Sequence, residues 1–377
     1  MVNKTKPFLN IGPGEFIKEE LELRGWSQQD LASILGLSLQ TVHKLIHNKQ
    51  PITLEVARRL SKAFGQSPQY WLNLDNNYRL RLEEETAEEQ NTGIRAQLFK
   101  YMPLREMCKK GWLLCDLTDT TRLVQEVKAF WEIDELDFSF IDRELLPNFR
   151  RSRAYQQFDA YYALTWFKMA QKCARLYSVS AYNRQKLIRL TEQLHRFTVQ
   201  ERGIQEFLER LEQTGVKFFL LSHLPKTYAD GAAFFMEGNP VVVYTKRYDR
   251  IDNFWFTIAH ELAHVILHFK NRKSIFIDRL DQIESEEEKE ADELASRWLK
   301  TKSILNYFEQ YKKYISRFRV QQCSTELEIH PGIIVGVLQH HGYLSHKNLN
   351  KFKGKVSPLI PSKYFAEDRM QKIRSAV

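Results

Sequence analysis

Two histidines and a glutamate lie inside a long apolar segment of this chain, in the run His-Glu-Leu-Ala-His at residues 260–264. The flanking residues 254–259 and 265–267 are almost all apolar, which predicts a helix that is buried on every side. A glutamate is almost never fully buried without a polar or charged partner. The fold must therefore bring further polar groups against this helix, and no other segment constrains it as much.

The spacing of the two histidines has a chemical consequence. Residues four apart lie on one face of an α-helix, so His260 and His264 can both reach a single tetrahedral Zn²⁺ ion. Glu261 lies beside them, where its carboxylate can take a proton from water that the ion has made acidic and deliver it to a leaving amine. The alternative is three core residues satisfied by local hydrogen bonds, since a three-residue pattern also occurs by chance. The sequence favours a peptidase site.

A zinc site of this kind needs a third protein ligand, and residues 286–299 supply candidates. This segment predicts an amphipathic helix, with an apolar stripe of Ala291, Leu294, Ala295, Trp298 and Leu299. Glu288 lies three residues before Ala291 and four before Asp292, so both carboxylates fall on or beside the inward stripe. Glu288 is the predicted third ligand, and Asp292 is predicted to accept the second ring N–H of a ligand histidine. Glu287 and Asp292 stay open as alternative ligands.

In these two motifs the chain resembles the ImmA/IrrE-type metallopeptidases, whose thermolysin-like site pairs an HExxH helix with Glu-x-x-Ala-Asp or Asn on a second helix. The matching residues here are 260–264 and 288–292. The resemblance extends upstream to two predicted strands, Gly231–Phe235 and Pro240–Tyr244, and downstream to Ile329–Gly336. It implies a zincin-like domain with a small β-sheet that acts as a zinc-dependent endopeptidase.

Two further histidines are candidates for the same site. His268 continues the helical series of His260 and His264, but it lacks the glycine-containing spacing of the third metzincin ligand. We expect it to support a metal ligand or the structure around it. His330 precedes a proline that can begin a helix. The resemblance implies that His330 stabilises an oxyanion, as such histidines do in thermolysin-like enzymes, and a simple turn residue is the alternative.

The other informative region lies near the N-terminus, where short amphipathic segments follow one another. Glu15–Glu22 predicts a first helix that stops at Gly25, and Pro68–Trp71 begins a fifth. The predicted N-caps of the second, third and fourth helices are Ser27, Ser38 and Thr53. The predicted inward residues are Leu31, Ala32, Ile34 and Leu35 on the second helix and Val42, Leu45 and Ile46 on the third. The turn at Gly36 between these two predicts a helix-turn-helix.

This arrangement resembles the Cro/repressor class of DNA-binding domains, through Ser-Gln-Gln-Asp-Leu-Ala at 27–32 and Gly-Leu-Ser at 36–38. Within that class, Tyr70–Leu74 resembles the HigA-type antitoxins. The resemblance implies that the third helix enters a DNA groove and reads bases, chiefly through Gln40. Leu39 is expected to meet a thymine methyl group, although it departs from the usual polar reader.

The remaining DNA contacts follow from the same outer face. Thr41, His43 and Lys44 lie further along the third helix and are expected to face the groove. Gln28 at the start of the second helix, together with Lys44 and Lys49, is expected to hold phosphates. A domain that serves only for dimerisation or protein contact is the alternative.

Charge alone does not decide that question. The formal net charge of +9 over 377 residues, with a pI near 9.2, is interpreted as spread along the chain. Residues 15–81 hold nine basic and seven acidic residues, a net charge of +2. Binding of a repressor-type homodimer to double-stranded DNA therefore depends on a local patch, with affinity that falls steeply as salt rises.

Cysteine usage and hydropathy indicate where the protein works. The four cysteines, Cys108, Cys115, Cys173 and Cys323, show neither a paired framework nor a CxxC zinc spacing. No signal peptide opens the chain, and no apolar run reaches membrane-spanning length. We expect a soluble protein of the reducing cytoplasm that contacts no membrane.

Length and a hydrophobic fraction of 43% allow two or three domains with sizeable cores. We predict an α+β fold that is mostly α: a five-helix helix-turn-helix domain at 1–82, a helical connector or scaffold at 83–205, and the zincin-like domain at 206–377. The predicted function is a DNA-binding transcriptional regulator whose Zn²⁺-dependent domain cleaves a repressor or another partner protein. The alternative is an antitoxin-type regulator that cleaves nothing and whose C-terminal domain senses a metal, a ligand or a toxin.

Overall fold

The computed structural model describes residues 10–82, 86–139, 141, 159–227, 229–269, 275–277 and 286–369. The chain separates into two units, Met1–Ile94 and Arg95–Val377. The division into three domains at residues 82 and 205 stays a prediction. Part of the predicted charged connector, residues 83–85, lies outside the described residues, as does the part of the predicted helical middle at 142–158.

The first unit is helical. Its helices are α1 (Pro13–Arg24), α2 (Gln28–Leu35), α3 (Leu39–Ile46), α4 (Leu54–Phe64) and α5 (Pro68–Leu82). The hydroxyls of Ser27, Ser38 and Thr53 each accept a backbone N–H in the first turn of the helix that follows, so the predicted N-caps are confirmed. Gly25 and Gly36 end α1 and α2 in the left-handed conformation, which only glycine adopts at little cost.

The core of this unit confirms the predicted inward face of α3, since Val42, Leu45 and Ile46 are buried. On α2 one prediction was wrong: the Ile34 side chain is 48% exposed. Leu31 and Leu35 are one helical turn apart and face the core, and the stripe that they define is too narrow on an eight-residue helix to include Ile34.

The second unit combines helices with one small sheet, so the predicted mostly helical α+β class is confirmed. The helix α6 (Ala87–Tyr101) contains the boundary between the units. The helices that follow are α7 (Leu104–Lys109), α8 (Thr120–Trp131), α9 (Ala160–Ala174), α10 (Arg184–Thr191), α11 (Leu194–Thr198), α12 (Gly203–Gln213), α13 (Ile251–Leu267), α14 (Glu286–Trp298), α15 (Thr301–Phe308), α16 (Arg317–Leu327) and α17 (Pro331–His340). Single 3₁₀ turns lie at Glu309–Tyr311, Asn350–Phe352, Ser357–Leu359 and Ser362–Tyr364.

Four strands form the sheet in the order β1-β3-β2-β4. They are β1 (Lys217–Leu220), β2 (Gly231–Met236), β3 (Asn239–Tyr244) and β4 (Ile275–Ile277). β1 runs parallel to β3, and β2 runs antiparallel to both β3 and β4. Glu237 and Gly238 both have positive φ, which matches the twist of a two-residue hairpin between β2 and β3. The two predicted strands are confirmed as β2 and β3.

Helix α13 lies at the centre of the core of this unit. It is buried on nearly every side, as the apolar flanks predicted, and it packs on β2, β3, α14 and α17. Phe254 stacks edge-on against Tyr244 of β3, with ring centroids 5.3 Å apart. On the facing side, Ala291 and Ala295 are buried and let the backbone of α14 approach α13 closely. Within the described residues, no helix combines the length and the apolar character needed to cross a bilayer.

Candidate metal centre and nucleic-acid interface

Three side chains from α13 and α14 converge on one point. The Nε2 atoms of His260 and His264 lie 2.9 Å apart. The Glu288 Oε2 atom lies 3.0 Å from the first of these nitrogens and 3.3 Å from the second. The four-residue spacing places both rings on one face of α13, and the packing of α14 brings Glu288 to them. Of the described residues, these three form the one group of histidine, cysteine and acidic side chains with the spacing of a metal site.

The protonation state of His260 follows from its other neighbour. Its Nδ1 lies 2.8 Å from Oδ1 of Asp292, one turn beyond Glu288 on α14. A ring nitrogen that faces a carboxylate carries the proton, so the Nε2 of His260 presents a lone pair to the group. Three acceptor atoms this close repel one another unless a proton or a cation lies between them. The donor set therefore fits a divalent metal ion.

The electrostatics of the group agree with that fit. Burial raises the pKa of Glu288, but the two imidazoles that face its carboxylate outweigh burial and hold the pKa of this carboxyl well below its usual range. Burial lowers the pKa of His264, and the hydrogen bond with Glu288 offsets that only in part. A neutral imidazole and an ionised carboxylate are the forms in which these side chains bind metals.

Glu261 is fully buried and lies on another face of α13, against the start of β2. The first residue of that strand is Gly231, and a Cβ atom built there would lie 2.7 Å from Glu261 Oε1. From the sequence, Gly231 is predicted only as part of a strand. The contact between Gly231 and Glu261 could not be predicted from the sequence, because β2 and α13 are separate segments. A glycine at the end of a strand can also indicate a bulge or a bend.

The other predicted site residues occupy different places. His268 lies one turn beyond His264, and its Nε2 is 2.9 Å from the backbone carbonyl of Glu287. Glu287 is exposed, so of the two alternative ligands only Asp292 contacts the cluster, through His260. These contacts anchor the end of α13 to the start of α14.

The contacts of the metal group in the described part of the chain do not include His330. It begins α17 as the N-cap, where its Nδ1 accepts the backbone N–H of Gly332. It lines a cavity of about 420 Å³ together with residues 197–202, Ile204, Gln205, Leu359 and Ile251, which is the first residue of α13. Burial lowers its pKa. A catalytic role for His330 stays a prediction.

In the first unit, the residues predicted to contact DNA share one surface. Leu39, Gln40, His43 and Lys44 of α3 are exposed and Thr41 is half-buried, because Val42, Leu45 and Ile46 turn the opposite face inward. Leu39 is 49% exposed, so its side chain is available for an apolar contact. Helices of this shape fit the major groove.

The neighbours of α3 complete this surface. The Oε1 of Gln28, at the start of α2, lies 3.4 Å from Nδ1 of His43, so α2 and α3 present their polar groups side by side. Lys49 is exposed in the loop after α3. That loop is fixed by Asn48, whose side chain accepts the backbone N–H of Gly14 at 2.7 Å. Lys49 therefore has a defined position beside α3.

Comparison with protein families finds two matches in this chain. A family model described as helix-turn-helix matches residues 17–71. A second model, of the peptidase M78 family and described as an IrrE N-terminal-like domain, matches residues 199–334. The second range includes α13, the whole of α14 with Glu288, and the strands β1 to β4.

Similar individual proteins cover the N-terminal part of the chain. The HTH-type transcriptional regulator YddM of Escherichia coli is 36% identical over 76 residues, which is 20% of this chain and 81% of that protein. Antitoxin HigA-1 of Vibrio cholerae is 37% identical over 67 residues, 18% of this chain and 63% of the antitoxin. A solved structure of an addiction module antidote protein of a HigA family from Coxiella burnetii has 36% identity, covers 19% of this chain and 80% of that one, and has a TM-score of 0.19.

Proposed function

Because this chain belongs to the helix-turn-helix transcriptional regulators and carries an IrrE N-terminal-like domain of the M78 peptidase family, we propose that it binds operator DNA and cleaves a partner protein at a zinc centre. The observation that carries the proposal is the convergence of His260, His264 and Glu288 at a helix that also carries the buried Glu261. The substrate is a repressor or another protein that acts at the same operator.

His260, His264 and Glu288 would hold the metal. Two histidines and one glutamate are the protein ligands of thermolysin-type zinc sites, which leave a position open for reactants. When bound, zinc would act as a Lewis acid on a peptide carbonyl and make water more acidic. Asp292 holds the His260 ring in the tautomer that presents its Nε2 lone pair.

Glu261 moves the proton. Its carboxylate accepts a proton from water as the water oxygen joins the carbonyl carbon of the peptide. The carbon–nitrogen bond then breaks, and the amine leaves with the proton that Glu261 carried. Burial keeps the Glu261 side chain in place between these steps, because Gly231 leaves just enough space for it.

DNA binding is assigned to α3 and the residues beside it. Gln40 and Leu39 contact bases, Thr41 and His43 line the groove, and Gln28, Lys44 and Lys49 contact phosphates. Repressor-type domains bind operators as two-fold dimers, so the proposal includes a homodimer. Binding at the operator would raise the local concentration of the protein near its substrate.

The test compares the full chain with the Glu261→Gln variant in cells, by labelling the new protein N-termini that each one produces. We expect new N-termini that require both zinc and Glu261, and a Glu261→Gln protein that still holds metal. Glu293→Gln, on the exposed side of α14, is the matched control and is expected to cleave normally. Equal cleavage by wild type and Glu261→Gln would end this proposal.

A regulator that cleaves nothing is the second candidate, and the similarity to antitoxin HigA-1 favours it. In that case the second unit would sense a metal, a ligand or a toxin. Expression from the operator separates the two candidates. If Glu261→Gln keeps full regulation while Gln40→Ala loses it, the non-proteolytic regulator is the correct one.

A further inference from the structure

One stretch of the second unit carries a surplus of positive charge. Residues 310–366 contain nine lysines and arginines but only two acidic residues, Glu326 and Glu328, a net charge of +7. The whole chain carries +9. Residues 145–191 carry a similar surplus, with nine basic residues and one acidic residue, so the charge is spread over more than one stretch. Residues 310–366 create one of the local positive fields.

The two ends of this stretch meet in space. Lys312 lies over the ring of Tyr343, with its Nζ 4.5 Å from the ring centroid. Arg317, the first residue of α16, lies over the ring of Phe352 at 5.7 Å. Two cations from the first part of the stretch thus lie against aromatic rings from its second part.

Most of these cations are not neutralised. Ion pairs join Lys312 to Glu309, Lys353 to Asp252 and Lys363 to Glu212. The basic residues of the stretch for which the described part of the chain provides no ion pair are Lys313, Arg317, Arg319, Lys347, Lys351 and Lys355. A surface with this surplus of positive charge is suited to a polyanion.

Two aromatic rings stand among these cations at the start of α16. Tyr314 is 79% exposed and Phe318 is 64% exposed, next to the exposed Lys313 and Arg317. We call these four residues the basic aromatic surface. Exposed rings beside cations are the combination with which proteins hold unpaired bases and the phosphates between them.

The neighbouring helix cannot read a duplex. A three-residue turn joins α16 to α17, as in a helix-turn-helix, but α17 is buried along most of its length, from Gly332 to Gln339. A recognition helix needs an exposed polar face to enter the major groove. Any nucleic acid on this side of the unit must therefore be held without reading its sequence in a groove.

We propose that the basic aromatic surface binds single-stranded nucleic acid. Lys313 and Arg317 contact phosphates, and Tyr314 and Phe318 stack on unpaired bases. A duplex supplies the phosphates but keeps its bases inside the helix, and an acidic peptide supplies charge without flat rings at each repeat. The binding requires neither the metal centre nor α3, so it can fail or hold independently of the proposed peptidase.

The test measures binding of a fluorescein-labelled oligothymidylate to the full chain over a range of salt concentrations. We expect the Lys313→Ala/Arg317→Ala double variant to bind more weakly and to lose about 1.4 from the slope of log K against log salt, at about 0.7 per phosphate contact. Phe318→Ala is expected to lose about fivefold or more in affinity, from one stacked base. Lys186→Ala/Arg189→Ala removes two exposed charges from α10 and is expected to leave binding unchanged.

A bromodeoxyuridine-substituted oligonucleotide gives a second readout that does not depend on any variant. Photocrosslinks mapped to residues 313–318 support the proposal. It is overturned if crosslinks fall only in the first unit, or if the double variant and the α10 control bind equally. It is also overturned if polyglutamate competes as well as oligothymidylate and Phe318→Ala has no effect, since the surface would then take an acidic protein.

Discussion

Gly231 and Glu261 share one small volume. A Cβ atom at position 231 would lie 2.7 Å from Glu261 Oε1 and 2.6 Å from Thr257 Cγ2, far inside ordinary contact distance. The absence of a side chain at the start of β2 therefore lets the glutamate of α13 fit against the sheet. A positioning role for Gly231 follows, distinct from any contact with substrate.

Gly231→Ala is expected to displace the Glu261 carboxylate and to slow partner cleavage about a hundredfold, the usual effect of misplacing a reacting group by about 1 Å. Metal content should stay at the wild-type value, since the atoms nearest to an added Cβ at position 231 belong to Thr257 and Glu261 and not to a metal ligand. Gly354→Ala adds the same methyl group where nothing lies within 4 Å and serves as the control. Wild-type cleavage by Gly231→Ala would show that Glu261 can tolerate the shift.

Metal binding gives the next prediction. Elemental analysis of the purified chain is expected to find one zinc ion, lost in both His260→Ala and Glu288→Ala, because each removes a ligand from the group. Glu293→Ala removes an exposed carboxylate from the same helix and should keep the metal. A chain that takes up no metal under any loading condition would leave the first unit as the working part of the protein.

The phosphate contact predicted for Lys44 and the base contact predicted for Gln40 should affect DNA binding in different ways. Lys44→Ala is expected to weaken binding to every duplex and to lower the salt slope by about 0.9, as one phosphate contact is lost. Gln40→Ala is expected to reduce only the preference for the operator, by about 1–3 kcal/mol. Lys62→Ala, on the exposed side of α4, is the control for charge. Identical profiles for the Lys44 and Gln40 variants would contradict the assignment.

Acid should weaken the contact between α8 and α9. Glu132 follows α8 and pairs with Arg175 and Lys168, which lower its pKa from 4.5 to about 2 despite some burial. A lowered pKa in the folded chain means stability that is present above pH 4.5 and lost as the pH falls toward about 2. In urea unfolding, the wild type should therefore have a higher free energy of unfolding than Glu132→Gln at neutral pH. The two free energies should approach each other in acid. A constant difference would show that the charge contributes nothing.

A buried ion pair gives a prediction for stability. Lys353 Nζ lies 2.8 Å from Asp252 Oδ2, and both side chains are only 4% exposed. Arg250 also pairs with Asp252, so Lys353→Met leaves this buried carboxylate with one cation instead of two. The substitution is therefore expected to lower the free energy of unfolding, by less than the roughly 3–5 kcal/mol that a fully unpaired buried charge costs. Lys355→Met, two residues on and exposed, should cost little. Chemical denaturation measures both, and equal stabilities would rule out the pairing.

Local patterns in the sequence were enough to predict the helices that carry both candidate sites. Helical geometry alone explains the spacing of His260 and His264 and the apolar stripe of α14. Glu288 could therefore be predicted as the third ligand from the sequence. The N-caps of the first unit are equally local. The fit of Gly231 to Glu261 could not be predicted because it depends on a contact between distant segments. The exposure of Ile34 was missed because the apolar stripe of the short helix α2 is narrower than the sequence pattern indicates.

The ligands of the metal centre come from two helices that are separate in sequence, since α13 supplies His260 and His264 and α14 supplies Glu288. An ion held this way binds the folded arrangement and not the unfolded chain, so the free energies of metal binding and of folding are thermodynamically linked. Chelation should then appear as a lower melting temperature, and any substitution that loosens α13 from α14 should appear as a weaker metal affinity. Metal supply and conformational stability would control such a regulator through a single equilibrium.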